Sequence, residues 1–298
     1  MIDISLVEFF QDLANPHLDF LARALAISVL AAVVCGVVGC FVVLRGMAFI
    51  GDAVSHAVFP GLAIAFVLQG SVLLGGAVAG CAVAVLIACF SQRRTVREDS
   101  VIGIFFAASF ALGMVIISRV DGYTASLTSF LFGSLTGVSR TDLYTALSVT
   151  VLIVGVIVLL SPQLTAACLD KETARAMGLP VFALDIVLYL CVTGAVVISV
   201  GTIGNILVLA LLITPAATAR LLTESLGSMM VTAAAIGSLG SFFGIYLAWA
   251  IDLPAGATIV LLLTACFLVA WAISPVLHSR HRTPRPASPS RHKESVTS

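Results

Sequence analysis

Charged residues are scarce in this sequence, and that scarcity decides the class of protein. Of its 298 residues, 10% are Asp, Glu, Lys or Arg, whereas 60% are hydrophobic and the mean hydropathy is +1.16. A water-soluble domain of this size has too little interior to bury so large an apolar fraction. We therefore predict that lipid surrounds most of the chain.

Lysine is almost absent, which excludes a phosphate-binding loop. Lys171 and Lys293 are the two lysines, and neither follows a glycine, so the sequence has no G-x-x-x-x-G-K-[ST] motif. The apolar segments also lack H-E-x-x-H, G-x-S-x-G and paired catalytic carboxylates. We predict that the chain is not an enzyme and holds no permanent cofactor, and that any ATP hydrolysis belongs to a partner subunit.

Paired cysteines and a basic leader are missing as well. The seven cysteines form no C-x-x-C pair, so we expect neither a disulfide framework nor a thiolate zinc site. Residues 1–20 carry four acidic side chains and no basic stretch before the first apolar run, unlike a signal peptide. We predict an exposed start to the chain, which could include a short interfacial helix.

Long apolar runs are what the sequence has in abundance. Each is roughly 20 residues long, which is enough to cross a hydrocarbon core of about 30 Å. Residues 125–138 are apolar but too short to cross, which predicts a re-entrant or partial helix that protein must shield. The predicted fold is all-α: a polytopic integral membrane domain at residues 18–277 with about nine transmembrane helices. The predicted spans are 18–44, 47–68, 72–91, 100–118, 142–161, 182–200, 203–222, 228–250 and 255–277.

Basic residues orient the predicted spans. With the N-terminus outside the cell, all Lys and Arg except Arg23, Arg119 and Arg140 lie on the cytoplasmic side. This orientation makes residues 1–17 extracellular. It also makes residues 278–298, which are rich in Pro, Ser and Arg, a disordered basic tail in the cytoplasm. We predict a multi-pass protein of the plasma membrane.

Glycines recur in clusters within the spans and predict close approach of helices in lipid. Packing within one subunit is the favoured interpretation, and a contribution of some of them to a dimer face stays open. The clustered residues are Gly36, Gly39, Gly75, Gly76, Gly80, Gly237, Gly240 and Gly244.

The second predicted span contains the most informative motif, MAFIGDAVSHAVFPG. Asp52 and His56 are four residues apart, so they project from one helix face. If the helix begins near Met47, a rise of roughly 1.5 Å per residue places His56 about 14 Å along it, near the bilayer midplane. Ionisable residues at that depth indicate function, and these oxygen and nitrogen donors suit manganese, iron or zinc. We predict a site for a transported metal; the alternative is a hydrogen bond between two helical turns.

Two prolines interrupt the backbone hydrogen bonding of the spans. Pro60 has no N–H, so the carbonyl of His56 loses its helical partner and could bind the ion or a water. An ordinary kink explains the same proline equally well. Pro215 leaves the carbonyl of Leu211 free and predicts a bent or discontinuous helix that lines the transport route.

Two ligands from one chain form an incomplete shell around a metal. A symmetric dimer with the site on its axis would supply two Asp and two His, and twofold dimers are the commonest oligomers. A homodimer is therefore a reasonable hypothesis.

Residues 163–180 are charged and, in the predicted orientation, cytoplasmic. An acidic start near Asp170 and a stop at Gly178, Leu179 and Pro180 predict a short helix at the membrane surface. A soluble ATPase could dock on such a helix. A plain solvated connector explains the segment equally well.

These segments together resemble the permeases of metal-type ABC importers, which take up manganese, zinc or iron. The motif RGMAFIGDAVSHAVFPGLAIAF is similar to the metal-site helix of that family. Four further motifs are similar: SFLFGSL at 129–135, DKETARAMGLP at 170–180, ALLITPAATARLL at 210–222 and DLPAGATIVL at 252–261. The resemblance extends from about residue 20 to residue 277.

The resemblance implies a homodimeric or pseudo-dimeric permease with two cytoplasmic ABC ATPases and an extracellular metal-binding protein. It implies that Asp52 and His56 bind the transported ion. The residues of their motif favour manganese as that ion, with zinc as the second candidate. Several family members have an Asp where this chain has Ser126, so a second acidic metal position is not expected here. The residues that would contact the ATPase are Asp170, Glu172, Ala174, Arg175 and Gly178.

Two other classes of function fit less of the sequence. A secondary metal transporter would run on an ion gradient, but such carriers usually need more intramembrane acids than Asp52 and the span-end Asp185. An intramembrane hydrolase that uses His56 with a bound metal would need a nucleophile or an activated water, which no motif indicates. None of the three classes implies a nucleic-acid partner.

Overall fold

A computed structural model describes residues 6–15, 18–92, 96–118 and 139–279. Within those ranges the chain forms eleven helices and no strands. The helices are α1 Leu6–Leu13, α2 Asp19–Arg45, α3 Ile50–Val67, α4 Val72–Phe90, α5 Glu98–Ile117, α6 Arg140–Leu169, α7 Lys171–Ala176, α8 Val181–Ile203, α9 Asn205–Leu222, α10 Leu226–Ile251 and α11 Ala255–Ser279.

Each of the nine predicted spans corresponds to one long helix, α2 to α6 and α8 to α11. Eight of these helices are long and apolar enough to cross a membrane, and α3 has a shorter apolar stretch, Ile50–Ala65. The all-α, multi-pass fold is therefore confirmed. The predicted partial helix at 125–138, the position of Ser126 and the tail from residue 280 onward lie outside the described residues.

The fifth predicted span is longer than the sequence indicated. It was expected at 142–161, but α6 continues through Pro162 to Leu169, so residues 163–169 are helical rather than part of a loop. The proline removes one hydrogen bond, yet Leu164 and Ala167 beyond it are buried and hold the last turns against the bundle. At about 1.5 Å per residue the 30-residue helix is about 45 Å long, so it exceeds the hydrocarbon core.

The N-terminal helix α1 is anchored by one aromatic side chain. Phe9 is fully buried, and its ring makes edge contacts with Phe242, Tyr246 and Trp249 of α10. Such perpendicular ring pairs add to the gain from apolar burial. The short helix that the sequence left open at the start of the chain is therefore present and packed on α10.

Helix α2 is the centre of the bundle. It packs against α6, α8, α9 and α10, while α3, α4 and α5 form a second group, and α8 contacts both groups. The two groups share one hydrophobic core, which includes Phe41 of α2, Ile50 of α3 and Leu188 of α8. In this arrangement α3 packs between α4 and α5 and against α8 and α9, and the face that carries Asp52 and His56 stays partly exposed.

Glycines allow the closest helix crossings. A Cβ on Gly39 would lie 1.8 Å from the carbonyl oxygen of Leu212 on α9, and one on Gly61 would lie 2.2 Å from the carbonyl oxygen of Gly75 on α4. Each of the eight clustered glycines faces another helix of the same chain. The packing interpretation is thus confirmed for all of them, which fits helix association in lipid through small residues.

Replacing Gly39 with alanine is expected to destabilise the folded permease by about 3 kcal/mol or more, because the added methyl group forces α2 and α9 apart. Gly155→Ala is the matched control, since a Cβ on Gly155 would meet no described atom within 4 Å and alanine favours the helix. The thermal unfolding midpoints of the detergent-purified variants test this. Equal midpoints would show that α2 and α9 do not cross at Gly39.

Candidate metal site

Asp52 and His56 lie one turn apart on the same face of α3. The Nε2 atom of His56 is 3.4 Å from Oδ1 of Asp52, and their side chains are 17% and 25% exposed, respectively. Both groups are therefore enclosed yet reachable by a small ion. The hydroxyl of Ser55 donates a hydrogen bond to the backbone carbonyl of Asp52 at 2.9 Å and so leaves the carboxylate free to face the imidazole.

Helix α3 begins later than the sequence suggested, at Ile50 rather than near Met47. The chain reverses first, because Gly46 ends α2 in the left-handed conformation at φ 68° and the N–H of Ile50 bonds to the carbonyl of Met47 at 3.1 Å. His56 is therefore about 9 Å along its helix rather than about 14 Å.

Pro60 lies within α3 and does not interrupt it. The helix is continuous from Ile50 to Val67, and Pro60 is buried. Because Pro60 has no N–H, it cannot donate the usual helical hydrogen bond to the carbonyl of His56. That this carbonyl oxygen binds the ion or a water stays a prediction.

Two phenylalanines of α5 form the wall beside His56. The rings of Phe106 and Phe110 contact the imidazole edge-on, with centroid distances of 5.0 and 5.1 Å. These residues are four apart, so one face of α5 supplies both. The apolar wall fixes the orientation of the imidazole and lowers the local polarity, which strengthens the attraction between a cation and the carboxylate.

Asn205, which the sequence analysis missed, completes the arrangement. Its Nδ2 atom is 3.4 Å from Nε2 of His56, and the residue is only 5% exposed. Asn205 is the first residue of α9 and follows Gly204, whose φ of 82° separates α8 from α9. An amide can present either its NH₂ group or its carbonyl oxygen to the same point. The available signal was a lone asparagine in an otherwise apolar stretch.

The break in this part of the chain is at Gly204 and not at Pro215. Helix α9 continues through Pro215, so it is not discontinuous there, while the predicted bend and its place on the transport route stay predictions. The proline ring is buried next to Gly237 of α10, where a Cβ would lie 3.5 Å from its Cγ. The ring is therefore in van der Waals range of α10.

Together these groups form a mixed set of nitrogen and oxygen donors. Asp52 supplies carboxylate oxygens, His56 an imidazole nitrogen and Asn205 an amide, and such a set suits a first-row divalent ion. In the described part of the chain, no three His, Cys, Asp or Glu side chains gather as a metal site would require. One copy of the chain therefore offers a partial shell.

The short helix α7 is present where the sequence placed it. Asp170 caps its start by accepting hydrogen bonds from the backbone N–H of Glu172 and the hydroxyl of Thr173. The hydrogen bond from Thr173 has the larger effect, and together these bonds lower the pKa of Asp170. Gly178 follows the helix at φ 78°, a conformation that favours glycine.

Four of the five residues predicted to contact an ATPase are at the surface. Asp170, Glu172, Arg175 and Gly178 are exposed, whereas Ala174 is buried. Ala174 therefore faces the bundle and holds α7 against it. Arg175 also donates a hydrogen bond to the side chain of Gln92 at 3.2 Å.

The chain matches the ABC 3 transport family over residues 17–274. It is 40% identical to the manganese transport system membrane protein MntC of Halalkalibacterium halodurans over 91% of this chain and 92% of that protein. It is 36% identical to the manganese import system permease protein ScaB of Streptococcus gordonii, over 90% and 95% of the two chains.

Among solved structures, the chain resembles PsaBC from Streptococcus pneumoniae in complex with Fab. The TM-score is 0.81 and the identity 34%, and the similarity covers 93% of this chain and 100% of that one. The family match, these relatives and the shared fold agree along nearly the whole length. The chain therefore belongs to the ABC 3 transport family and is a permease of the metal-type ABC importers.

Proposed function

We propose that the chain is the permease subunit of an ATP-driven importer of manganese. The observation that carries this proposal is the convergence of the Asp52 carboxylate and the Asn205 amide on Nε2 of His56. A carboxylate together with an imidazole suits manganese among other first-row ions, and the relatives MntC and ScaB carry manganese transport in their names. Zinc is the second candidate, because zinc binds most nitrogen and oxygen sites more tightly than manganese does.

The partial shell favours a site shared between two copies of the chain. A twofold axis near α3 would bring a second Asp52 and a second His56 to the ion, giving four strong ligands. The exposure of both side chains leaves room for such ligands. The free carbonyl of His56 next to Pro60 could supply a further oxygen.

The proposed orientation of the chain in the membrane rests on the distribution of positive charge. In the proposed orientation the N-terminus is outside the cell, the C-terminus is cytoplasmic and α7 faces the cytoplasm. An extracellular binding protein would deliver the ion, and a cytoplasmic ATPase would dock on the exposed face of α7. Nucleotide binding and hydrolysis would then alternate the access of the metal site between the two sides.

Replacing Asp52 or His56 with alanine is expected to abolish manganese uptake at normal membrane expression, since each change removes a strong ligand. Cellular manganese, zinc and iron would be measured together in a strain that lacks the native permease. Asp252→Asn, which changes a carboxylate at the end of α10, is the control and should keep full uptake. Full uptake by both alanine variants would mean that the Asp–His pair is structural.

Asn205→Leu is expected to raise the manganese concentration for half-maximal uptake by about tenfold, because outer ligands orient inner ones and tune their affinity. Leucine matches the size of asparagine and removes only the amide. Uptake at a series of manganese concentrations measures the change. An unchanged half-maximal concentration would exclude Asn205 from the site.

Arg175→Gln is expected to reduce the amount of ATPase subunit that co-purifies with the permease by about tenfold, which corresponds to a loss of about 1.4 kcal/mol of binding energy. Arg140→Gln is the control, since Arg140 is also exposed but lies at the start of α6, far along the chain from α7. Equal co-purification of the two variants would argue against α7 as the docking helix. Uptake driven by an ion gradient, without the ATPase, would instead favour a secondary transporter.

A further inference from the structure

Four charged side chains from four different helices meet at the end of the bundle that carries α7. Arg45 ends α2, Glu98 begins α5, Lys171 begins α7, and Asp185 lies in α8. Arg45 is 2.6 Å from Asp185, and Lys171 is 3.1 Å from Asp185 and 3.2 Å from Glu98. We call these four residues the charge cluster.

The charge cluster is balanced and largely enclosed. It holds two cations and two anions, and the side chains of Arg45 and Asp185 are 2% and 1% exposed. The hydroxyl of Tyr189 on α8 donates a hydrogen bond to Glu98 and also contacts the sulfur of Met47, just before α3. Removing one partner of a buried ion pair is strongly unfavourable, so the members of the cluster are expected to move together.

The charge cluster is connected to the metal site by two continuous helices. Helix α5 extends from Glu98 to Phe106 and Phe110, which contact His56 about 12 and 18 Å farther along. Helix α8 extends from Asp185 to Ile203, directly before Gly204 and Asn205. Helix α5 therefore joins the charge cluster directly to side chains that contact the imidazole, whereas α8 ends two residues before Asn205, the first residue of α9.

We propose that the Lys171–Glu98 ion pair is the linkage through which a displacement of α7 repositions α5 against the metal site. This inference rests on the proposed function, in which α7 docks the ATPase. Lys171 is the one member of the cluster that belongs to α7, and Glu98 is the one that belongs to α5. Lys171 and Glu98 act as positioning residues and do not touch the ion.

The competing explanation is a static ion-pair cluster that only holds the bundle together. The Arg45–Asp185 pair already joins α2 to α8 without any contribution from α7. A static role for Lys171 would lower the yield of assembled complex but leave the number of ions transported per ATP unchanged. A linkage would change that number.

The test uses the complete transporter in lipid vesicles, with its ATPase and binding protein, and measures manganese taken up per ATP hydrolysed. Lys171→Gln and Glu98→Gln are each expected to lower this ratio by about tenfold while ATP hydrolysis continues, in line with typical coupling strengths. Lys171→Arg keeps the charge and should keep the ratio. Arg140→Gln, which removes the exposed contact with Asp19, is the matched control and should also keep it.

A wild-type ratio in both glutamine variants would overturn the linkage, even if their yield falls. The ratio of manganese to ATP in the double variant should be no lower than the lower of the two single-variant ratios, because both changes break the Lys171–Glu98 pair. If the wild-type complex shows no ATP-dependent uptake at all, the proposed function fails and not this inference alone.

Spin labels on a transporter that keeps the Lys171–Glu98 ion pair provide a second measurement, which requires no removal of charge. Labels at Ala176 of α7 and Ile104 of α5, both exposed, should keep their separation within about 2 Å between the nucleotide-free and ATP-bound states. Their distances to a label at the exposed Val231 of α10 should change between the two states. Separation of α7 from α5, or no movement of either relative to α10, would contradict the linkage.

Discussion

Inside a bilayer an unpaired polar group has no water with which to form a hydrogen bond, and the free-energy cost of leaving it unpaired constrains both the backbone and the side chains of this protein. The backbone avoids it by forming long helices. Charged side chains avoid it by compensation, as in the charge cluster, where two cations meet two anions. Compensation is less complete at the candidate metal site, where Asp52 has only a partly exposed imidazole beside it. In the proposed function, a divalent cation would supply the missing positive charge.

Close helix packing decides where these polar groups can meet. The crossings at Gly39 and at Gly61 bring α2 against α9 and α3 against α4 with backbone nearly touching backbone. The first crossing positions the helix that starts with Asn205, and the second positions the helix that carries Asp52 and His56. Small residues at these crossings thus set the positions of the helices that carry the proposed ligands, and a bulkier residue at either crossing would move one of those helices.

Helix positions could be predicted from the sequence because hydrophobic length is a local property that lipid enforces. The ends were less predictable: the fifth span was expected to end at residue 161, but the buried Leu164 and Ala167 outweigh the one hydrogen bond lost at Pro162. Asp52 and His56 could be paired because they lie on one helix. Asn205 could not be added, since its contact with His56 joins residues 149 positions apart.

The charge cluster was unpredictable for the same reason. Glu98 and Lys171 are 73 positions apart, and each alone has the ordinary appearance of a charge at the end of a membrane helix. The ATPase role of α7, the metal and the dimer axis depend on partners outside this chain. They remain proposals because no pattern within one sequence records what binds to it.

The depth of the metal site has an electrical consequence. Phe106 and Phe110 contact His56 about 12 and 18 Å along α5 from Glu98. With that end of α5 facing the cytoplasm as proposed, an incoming ion would cross about half of the hydrocarbon core before it reaches the ligands. If the voltage falls evenly, a divalent ion gains about 2 kcal/mol per 100 mV of inside-negative membrane potential on that path. Occupancy of the site from outside would then depend on the energised state of the cell as well as on its manganese supply.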